Sequence, residues 1–363
     1  MFTALLVVLI LVFLIVVHEL GHFIAAKVFG IHVEEFGVGY PPRAFTIGRL
    51  GGTEYTINWI PFGGFVRLFG DEGETEHGRG SYVDAPRWKQ ASVLIAGVIM
   101  NAFAAYFLFV FALNIGIPRV VDEVQPGVEA RLLVAQVVQG SPADAAGIRG
   151  GDEILGLEDK HGMTLRELTP EAIAEFIRTR GGKPISVTYL HEKATTSAEV
   201  IPAHAVIPDS AGRPAMGFAL VMVSSQSLPL GDAAIEAIPV TKNAFISVGG
   251  GLLDLFQRAL RGEPSISQVI GPVGLVQVVG DAAQSGIGNV LALAAFISVN
   301  LAIINLLPIP ALDGGRLLLL GIEAASQRPA PRIVVRLLNA IGVALVVLIM
   351  ITVTYNDIGR LLA

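Results

Sequence analysis

The 363-residue sequence contains no cysteine. Disulfide frameworks and thiolate metal sites are therefore excluded, and any metal ion must be held by nitrogen and oxygen ligands. Charge is also scarce, since 15% of the residues are Asp, Glu, Lys or Arg, against about 25% in soluble globular proteins. The net charge of −6 provides no basic surface for nucleic acid, so no nucleic-acid partner is expected.

Apolar residues replace the missing charge and make up 53% of the chain. A helix that crosses a bilayer core needs about 20 of them in sequence. Four stretches meet this requirement, so we expect about four transmembrane helices in a polytopic α-helical membrane protein in contact with lipid. The first stretch follows no basic segment, which disfavours the alternative of a cleaved signal peptide. The expected spans are residues 2–29, 91–117, 287–307 and 333–354.

Basic residues in the connections between spans predict the orientation. The connections between spans one and two and between spans three and four are rich in arginine, and cytoplasmic loops carry such an excess. The termini and the long central segment are then extracytoplasmic, and the expected location is the inner (cytoplasmic) membrane. The residues concerned are Arg43, Arg49, Arg67, Arg79, Arg87 and Lys89, and Arg316, Arg328, Arg332 and Arg336.

The first span contains the pattern His18-Glu-Leu-Gly-His22. A spacing of four residues places both imidazoles on one helix face, where they suit two ligands of a tetrahedral zinc ion. Glu19 is then positioned to act as general base toward a water molecule. The alternative is a pair of histidines at a membrane interface, but ionisable groups inside a span are costly and usually mark function. We expect the site to lie toward the cytoplasmic side.

Catalytic zinc usually has three protein ligands and one water, and Asp313 is the best candidate for the third. It follows the third span in Asn305-Leu-Leu-Pro-Ile-Pro-Ala-Leu-Asp-Gly-Gly315. Pro308 and Pro310 interrupt a helix there, and Gly314 and Gly315 are expected to permit a tight turn. Broken backbone at membrane depth is tolerated where protein or water covers it. An exposed loop aspartate is the alternative.

Two further regions have patterns of their own. Residues 34–70 combine glycine with aromatic and β-branched residues, which predicts β-hairpins. Their edge is a candidate for pairing with an extended substrate, or the hairpins merely cover the helices. Residues 123–223 predict short strands and helices, among them a helix after Thr169. Residues 231–261 look amphipathic and suited to a membrane surface.

Together these motifs resemble the site-2 protease family of intramembrane zinc metalloproteases, in its bacterial branch that acts in regulated intramembrane proteolysis. Pro61–Gly70, Gly97–Asn101 and Gly271–Gly274 resemble further family elements. The resemblance implies one zinc ion per chain held by His18, His22 and Asp313, with Glu19 activating water. It also implies an inserted PDZ domain in the central segment, which is α+β in content.

The fold class expected is thus a helical membrane protein with a membrane-associated β-hairpin region and an inserted α+β PDZ-like domain. The expected parts are residues 1–117, 118–226 (the PDZ-like domain), 227–286 (an interfacial segment) and 287–363. Candidate substrate-binding residues are Asn101, Asn305, Gly63 and Gly64. Asn101 serves equally as a polar contact between helices.

The resemblance implies hydrolysis of peptide bonds in or near the membrane segments of single-span proteins. Such substrates include anti-sigma factors already trimmed by another protease, and remnants of signal peptides. Two alternatives remain, an ion transporter that uses the His and Asp side chains and a PDZ scaffold with an inactive site. Bound zinc and turnover that depends on Glu19 separate the protease from both.

Overall fold

A computed structural model describes residues 2–71, 78–121, 130–165, 167–191, 194–204, 213–262, 270–328 and 330–362. Within them the chain divides into two compact units. One unit is formed by residues 1–115 together with 228–363, and the other by residues 116–227.

The first unit is built on long apolar helices. Four helices are long and apolar enough to cross a membrane, which confirms the number of spans expected from the sequence. They are α1 (Phe2–Val28), α2 (Arg87–Ile115), α7 (Ile287–Leu306) and α9 (Arg332–Leu362), whose apolar part runs over Ile333–Arg360. The other helices of this unit are α5 (Leu230–Leu260), α6 (Pro272–Gln284) and α8 (Asp313–Ser326).

Close backbone contact holds α1 against α2. Gly21, inside the His-Glu-Leu-Gly-His sequence, lies so near α2 that a Cβ there would be 2.3 Å from the Ala96 carbonyl oxygen. The neighbouring Leu20 is exposed on the outer face, as suits a residue that contacts lipid. Outward from this contact, buried Val7, Ile10 and Leu14 pack with residues of α6 and α7.

The N-terminus of α6 receives a carboxylate from α9. Buried Asp357 accepts hydrogen bonds from the backbone N–H groups of Gly271 at 3.2 Å and Gly274 at 2.8 Å. The first N–H groups of a helix have no partner within the helix, and a negative charge there is favourable. The Gly271–Gly274 segment therefore has a structural role as an anchoring point for the last span.

The predicted hairpins are present as β1 (Val33–Leu50) and β2 (Thr53–Leu68). Both strands are long and each contributes two segments to one antiparallel sheet. Segment 43–50 pairs with 53–58, which pairs with 33–38, which pairs in turn with 64–68. Segment 64–68 is therefore an edge, with no second partner strand among the described residues.

A buried carboxylate ties these segments together. Glu35 lies in the inner segment 33–38 and is 3% exposed, and it accepts a hydrogen bond from the Thr56 hydroxyl at 2.7 Å. It also pairs with Arg43 at 2.9 Å and Arg67 at 3.1 Å, which extend from the two outer segments. A buried charge is tolerated when it is paired and hydrogen-bonded in this way.

The second unit has the α+β content that the sequence predicts for a PDZ-like domain. Its core is apolar and includes Ile154, Ile173 and Val187. The predicted helix after Thr169 is confirmed, since the Thr169 hydroxyl caps it by accepting from Ala172 N–H. The strands at residues 119–120, 194–200 and 218–224 were not predicted. The elements of this unit are β3 (Arg119–Val120), β4 (Ala130–Val137), α3 (Pro142–Ala145), β5 (Glu153–Asp159), α4 (Pro170–Arg178), β6 (Ile185–His191), β7 (Ala194–Val200) and β8 (Phe218–Ser224). The strands lie in the order β3-β8-β4-β5-β6-β7 in the sheet.

Candidate metal centre

Three side chains from distant parts of the chain converge in the first unit. His18 and His22 lie one turn apart on α1, and Asp313 is the first residue of α8. Nε2 of His18 lies 2.9 Å from Asp313 Oδ2 and 3.1 Å from Nε2 of His22, which is itself 3.3 Å from the same carboxylate oxygen. Among the described residues these three are the one group of histidines and carboxylates spaced to hold a metal ion.

The donor set suits zinc. Ligand atoms at about 2.0–2.1 Å from a tetrahedral zinc ion lie roughly 3.3–3.4 Å from one another. One of the observed separations, 3.3 Å, matches this distance, and the other two, 2.9 and 3.1 Å, are shorter. Two imidazoles and one carboxylate also form a common catalytic zinc set that leaves a position open. Both histidines are buried, and the Asp313 side chain is 19% exposed.

Hydrogen bonding on the far side of the His22 ring supports the same fit. Nδ1 of His22 lies 2.8 Å from the backbone oxygen of Val93 in α2. A carbonyl oxygen only accepts, so Nδ1 carries the hydrogen and Nε2 of the neutral ring keeps its lone pair. That lone pair points at the other two donor atoms, as in a metal ligand oriented from behind.

Helix α2 makes room for both imidazoles at Gly97. A Cβ at this position would lie 2.6 Å from Nε2 of His22 and 2.7 Å from Cε1 of His18. Val93, Gly97 and Asn101 follow one another at intervals of four residues, so they form one stripe along α2. Asn101 is fully buried, and its Nδ2 lies 3.2 Å from Nδ1 of His18.

The two glycines after Asp313 act differently from the prediction. The turn precedes Asp313 instead of following it, and its left-handed residue is Ala311, with φ of 75°. Gly314 and Gly315 belong to α8, where a Cβ on either would come within 2.3 Å of a backbone oxygen of the segment after α7. Their role is close packing of the α8 N-terminus, which positions the carboxylate.

Glu19 lies between the three donors and the edge of the sheet. A Cβ on Gly64, in the edge segment 64–68, would be 3.4 Å from Glu19 Cγ. Gly63 adopts a φ of +91°, and its missing Cβ would overlap the Tyr40 ring. Both glycines are buried. The structure thus places the predicted base beside one predicted substrate-binding residue, Gly64, and Gly63 precedes Gly64 in the chain.

Asn305 lies in the last turn of α7 and is partly buried. It begins the turn segment that ends at Asp313, but among the described residues no contact joins it to the three donors. Its predicted role in substrate binding stays a prediction.

Sequence reasoning missed Val93, because a backbone carbonyl leaves no trace in residue identity. It also assigned no physical role to Gly97. The four-residue spacing of Val93, Gly97 and Asn101 was the available signal, since it matches the spacing of the two histidines. The spacing predicts that the three residues share one face of α2, but it does not predict that this face meets α1.

Known proteins resemble this chain over almost its whole length. The profile described as Peptidase family M50 matches residues 6–349. "Putative zinc metalloprotease CPE1693" of Clostridium perfringens is 32% identical and aligns over 95% of each chain. Zinc metalloprotease RasP of Bacillus licheniformis is 28% identical over 96% of each chain.

The solved structures that resemble a part of the chain include one bacterial domain. It is the PDZ domain of the SdrC-like protein from Listeria monocytogenes, which has 21% sequence identity and a TM-score of 0.21. The likeness covers 28% of this chain and 93% of that one. At this TM-score it carries no argument about function or partners.

Proposed function

The chain belongs to peptidase family M50, the site-2 proteases, and as a multi-pass zinc metalloprotease it acts on membrane-embedded substrates; we propose that His18, His22 and Asp313 hold its zinc and that Glu19 is its general base. The observation that carries the proposal is the convergence of three donor atoms beside Glu19 and a free sheet edge. One zinc ion per chain follows from the single group of donors among the described residues.

His18, His22 and Asp313 would hold the ion, which when bound would supply Lewis-acid polarisation of a carbonyl and lower the pKa of a water molecule to about 7. The Val93 carbonyl oxygen holds His22 in the required tautomer. The close packing of the α8 N-terminus holds the Asp313 carboxylate in position. Glu19 takes a proton from the attacking water and transfers it to the nitrogen of the leaving amine. The amide of Asn101 donates a hydrogen bond to the oxygen of the attacked carbonyl.

The substrate must be extended where it is cut, because a helix hides its peptide bonds. Among the described residues, edge segment 64–68 has no partner strand on its outer side, and it begins at Gly64 beside Glu19, so a substrate strand added there would pass the base. The Tyr40 ring packs against Gly63 and Glu19 lies against Gly64, and we propose that the backbone of these two glycines contacts that strand. Asn305 is the remaining candidate for a contact with the substrate.

The substrates we propose are single-span proteins, among them anti-sigma factors trimmed by a previous cleavage, and signal-peptide remnants. The family relationship supports this class, and the 116–227 insertion between α2 and α5 supports a selection step. The enzyme would reside in the inner membrane with its termini and PDZ-like domain outside and its metal centre toward the cytoplasm. The arginine-rich connections support this orientation. The four parts 1–117, 118–226, 227–286 and 287–363 remain our proposed division of these roles.

Reconstituted vesicles test the proposal. The wild-type protein, incubated with a single-span substrate in a short and a long form that differ only in the outer domain, should cut the short form within its span. Mass spectrometry locates the cut. A cut confined to residues outside the bilayer, or equal rates with Glu19→Gln protein, would refute intramembrane proteolysis at this site.

A further inference from the structure

The carboxamide of Asn101 is unusual because one of its two ends has a buried partner and the other has none. Nδ2 faces Nδ1 of His18 at 3.2 Å. Oδ1 is buried and has no hydrogen-bond partner in the part of the chain that the structure describes. Leaving a buried acceptor unpaired is unfavourable, so this arrangement calls for a functional explanation.

The protonation of Nδ1 of His18 determines whether the oxygen or the nitrogen of the Asn101 amide should face it. Nε2 of His18 points at His22 and Asp313. A neutral imidazole that offers the Nε2 lone pair to a metal carries its hydrogen on Nδ1. Nδ1 is then a donor, and it requires an acceptor opposite. His22 meets the same requirement with the Val93 carbonyl oxygen at 2.8 Å.

The two ends of an asparagine amide exchange places by a half turn about the Cβ–Cγ bond. After such a turn Oδ1 lies opposite Nδ1 of His18, and Nδ2 occupies the buried position that has no protein partner. We propose that Asn101 is a positioning residue which accepts the Nδ1–H of His18 and thereby fixes the zinc-binding tautomer of that ring. This inference rests on the proposed zinc site and extends it to α2.

The same rotation leaves the amide N–H groups directed away from His18. The described residues place no hydrogen-bond donor at this position, and the N–H groups turned into it are then available to donate to the attacked carbonyl of a substrate. Asn101 would then connect metal binding and carbonyl binding through one rigid side chain.

Substitutions that separate acceptor from donor test this. Asn101→Asp keeps the acceptor and removes the donor, whereas Asn101→Leu and Asn101→Ala remove both. Zinc affinity of the purified full-length protein in detergent, measured by competition with a chelating dye, should fall about 10–100-fold in the Leu and Ala variants. It should stay within about threefold of wild type, or increase, in Asn101→Asp, since a carboxylate is a good partner for a metal-binding histidine. Turnover of Asn101→Asp should nevertheless fall at least about 100-fold, because a donor to the carbonyl oxygen is lost.

Ser298→Ala is the matched control. The Ser298 hydroxyl donates to the backbone oxygen of Asn101 at 2.8 Å and is buried at the same helix contact, but it does not touch a histidine. It should leave zinc affinity unchanged. Thermal unfolding of the zinc-free variants shows whether an effect is only structural. We expect the unfolding temperature of each zinc-free variant to stay close to that of the zinc-free wild-type protein, while the zinc affinity of the Leu and Ala variants falls.

Zinc affinity in Asn101→Leu and Asn101→Ala within twofold of wild type would overturn the inference while leaving the proposed protease site intact. Equal loss of zinc in Asn101→Asp and Asn101→Leu would also overturn it, since the acceptor would then not matter. Failure of the wild-type protein itself to bind zinc would overturn the zinc site and this inference together.

Discussion

Oδ2 of Asp313 lies 2.9 Å from Nε2 of His18, although 295 positions separate the two residues in the chain. One residue comes from the middle of the first apolar helix and the other from the start of α8. Helix α2 lies behind the histidines and supplies the Val93 carbonyl and the space at Gly97. The candidate metal centre is therefore built by packing three helices, and each part of it can be tested separately.

Glu19→Gln should retain zinc and lose hydrolysis. The amide has nearly the shape of the carboxylate but cannot take a proton from water, and general-base catalysis contributes about 10²–10⁴-fold. Initial rates on a short single-span substrate, together with zinc content by mass spectrometry, provide the measurement. Activity above one tenth of the wild-type rate would contradict the role given to Glu19.

Gly97→Ala should weaken zinc binding by at least about tenfold, by analogy with other changes next to metal ligands. The added methyl group would overlap both imidazole rings and displace them from the shared site. Dye competition measures the affinity.

Gly321→Ala is the control for that substitution, because Gly321 lies in α8 with no heavy atom within 4 Å of the added Cβ. It should bind zinc normally and gain up to about 1 kcal/mol of helix stability. Unaltered zinc affinity in Gly97→Ala would show that the rings do not depend on this close approach.

Gly64→Val should impair substrate use while leaving the metal in place. The valine side chain would fill the space between the edge segment and Glu19, where even a Cβ lies 3.4 Å from Glu19 Cγ. We expect kcat/KM to fall by about tenfold or more, of the order that small misplacements near a reacting group produce. Zinc content should be unchanged.

Gly48→Val is the corresponding control in the outer segment 43–50 of the same sheet. Nothing lies within 4 Å of a Cβ there. The change therefore shows what replacing a glycine of this sheet by valine does by itself, at a position away from Glu19. If both variants lose the same activity, the edge beside Glu19 has no special role in substrate binding.

The sequence allowed much of this site to be predicted, because its ligands obey local rules. The spacing of His18 and His22 requires only a helix, and Asp313 follows a proline-interrupted span. Packing between helices was not predictable in the same way. Val93 contributes a backbone atom, and Gly97 contributes only the absence of a side chain, so both roles depend on which face of α2 meets α1.

The errors and omissions have the same origin. Gly314 and Gly315 were expected to form a turn, but helix α8 already begins at Asp313 and the glycines allow backbone contact instead. Asp357, within an apolar helix, was not singled out although it caps α6 from 83 residues away. Short strand β8 follows a segment without regular alternation, and it becomes a strand because β4 pairs along its length.

Zinc content of the purified full-length protein and its Asp313→Ala and His22→Ala variants tests the central claim most directly. Plasma mass spectrometry after dialysis against a weak chelator measures metal per chain. We predict one zinc ion per chain in the wild-type protein and in Glu19→Gln, and substantial loss in Asp313→Ala and His22→Ala, since each removes a bond to the same ion. Unchanged zinc stoichiometry and affinity in Asp313→Ala, or wild-type protein that binds no zinc, would contradict the site described here.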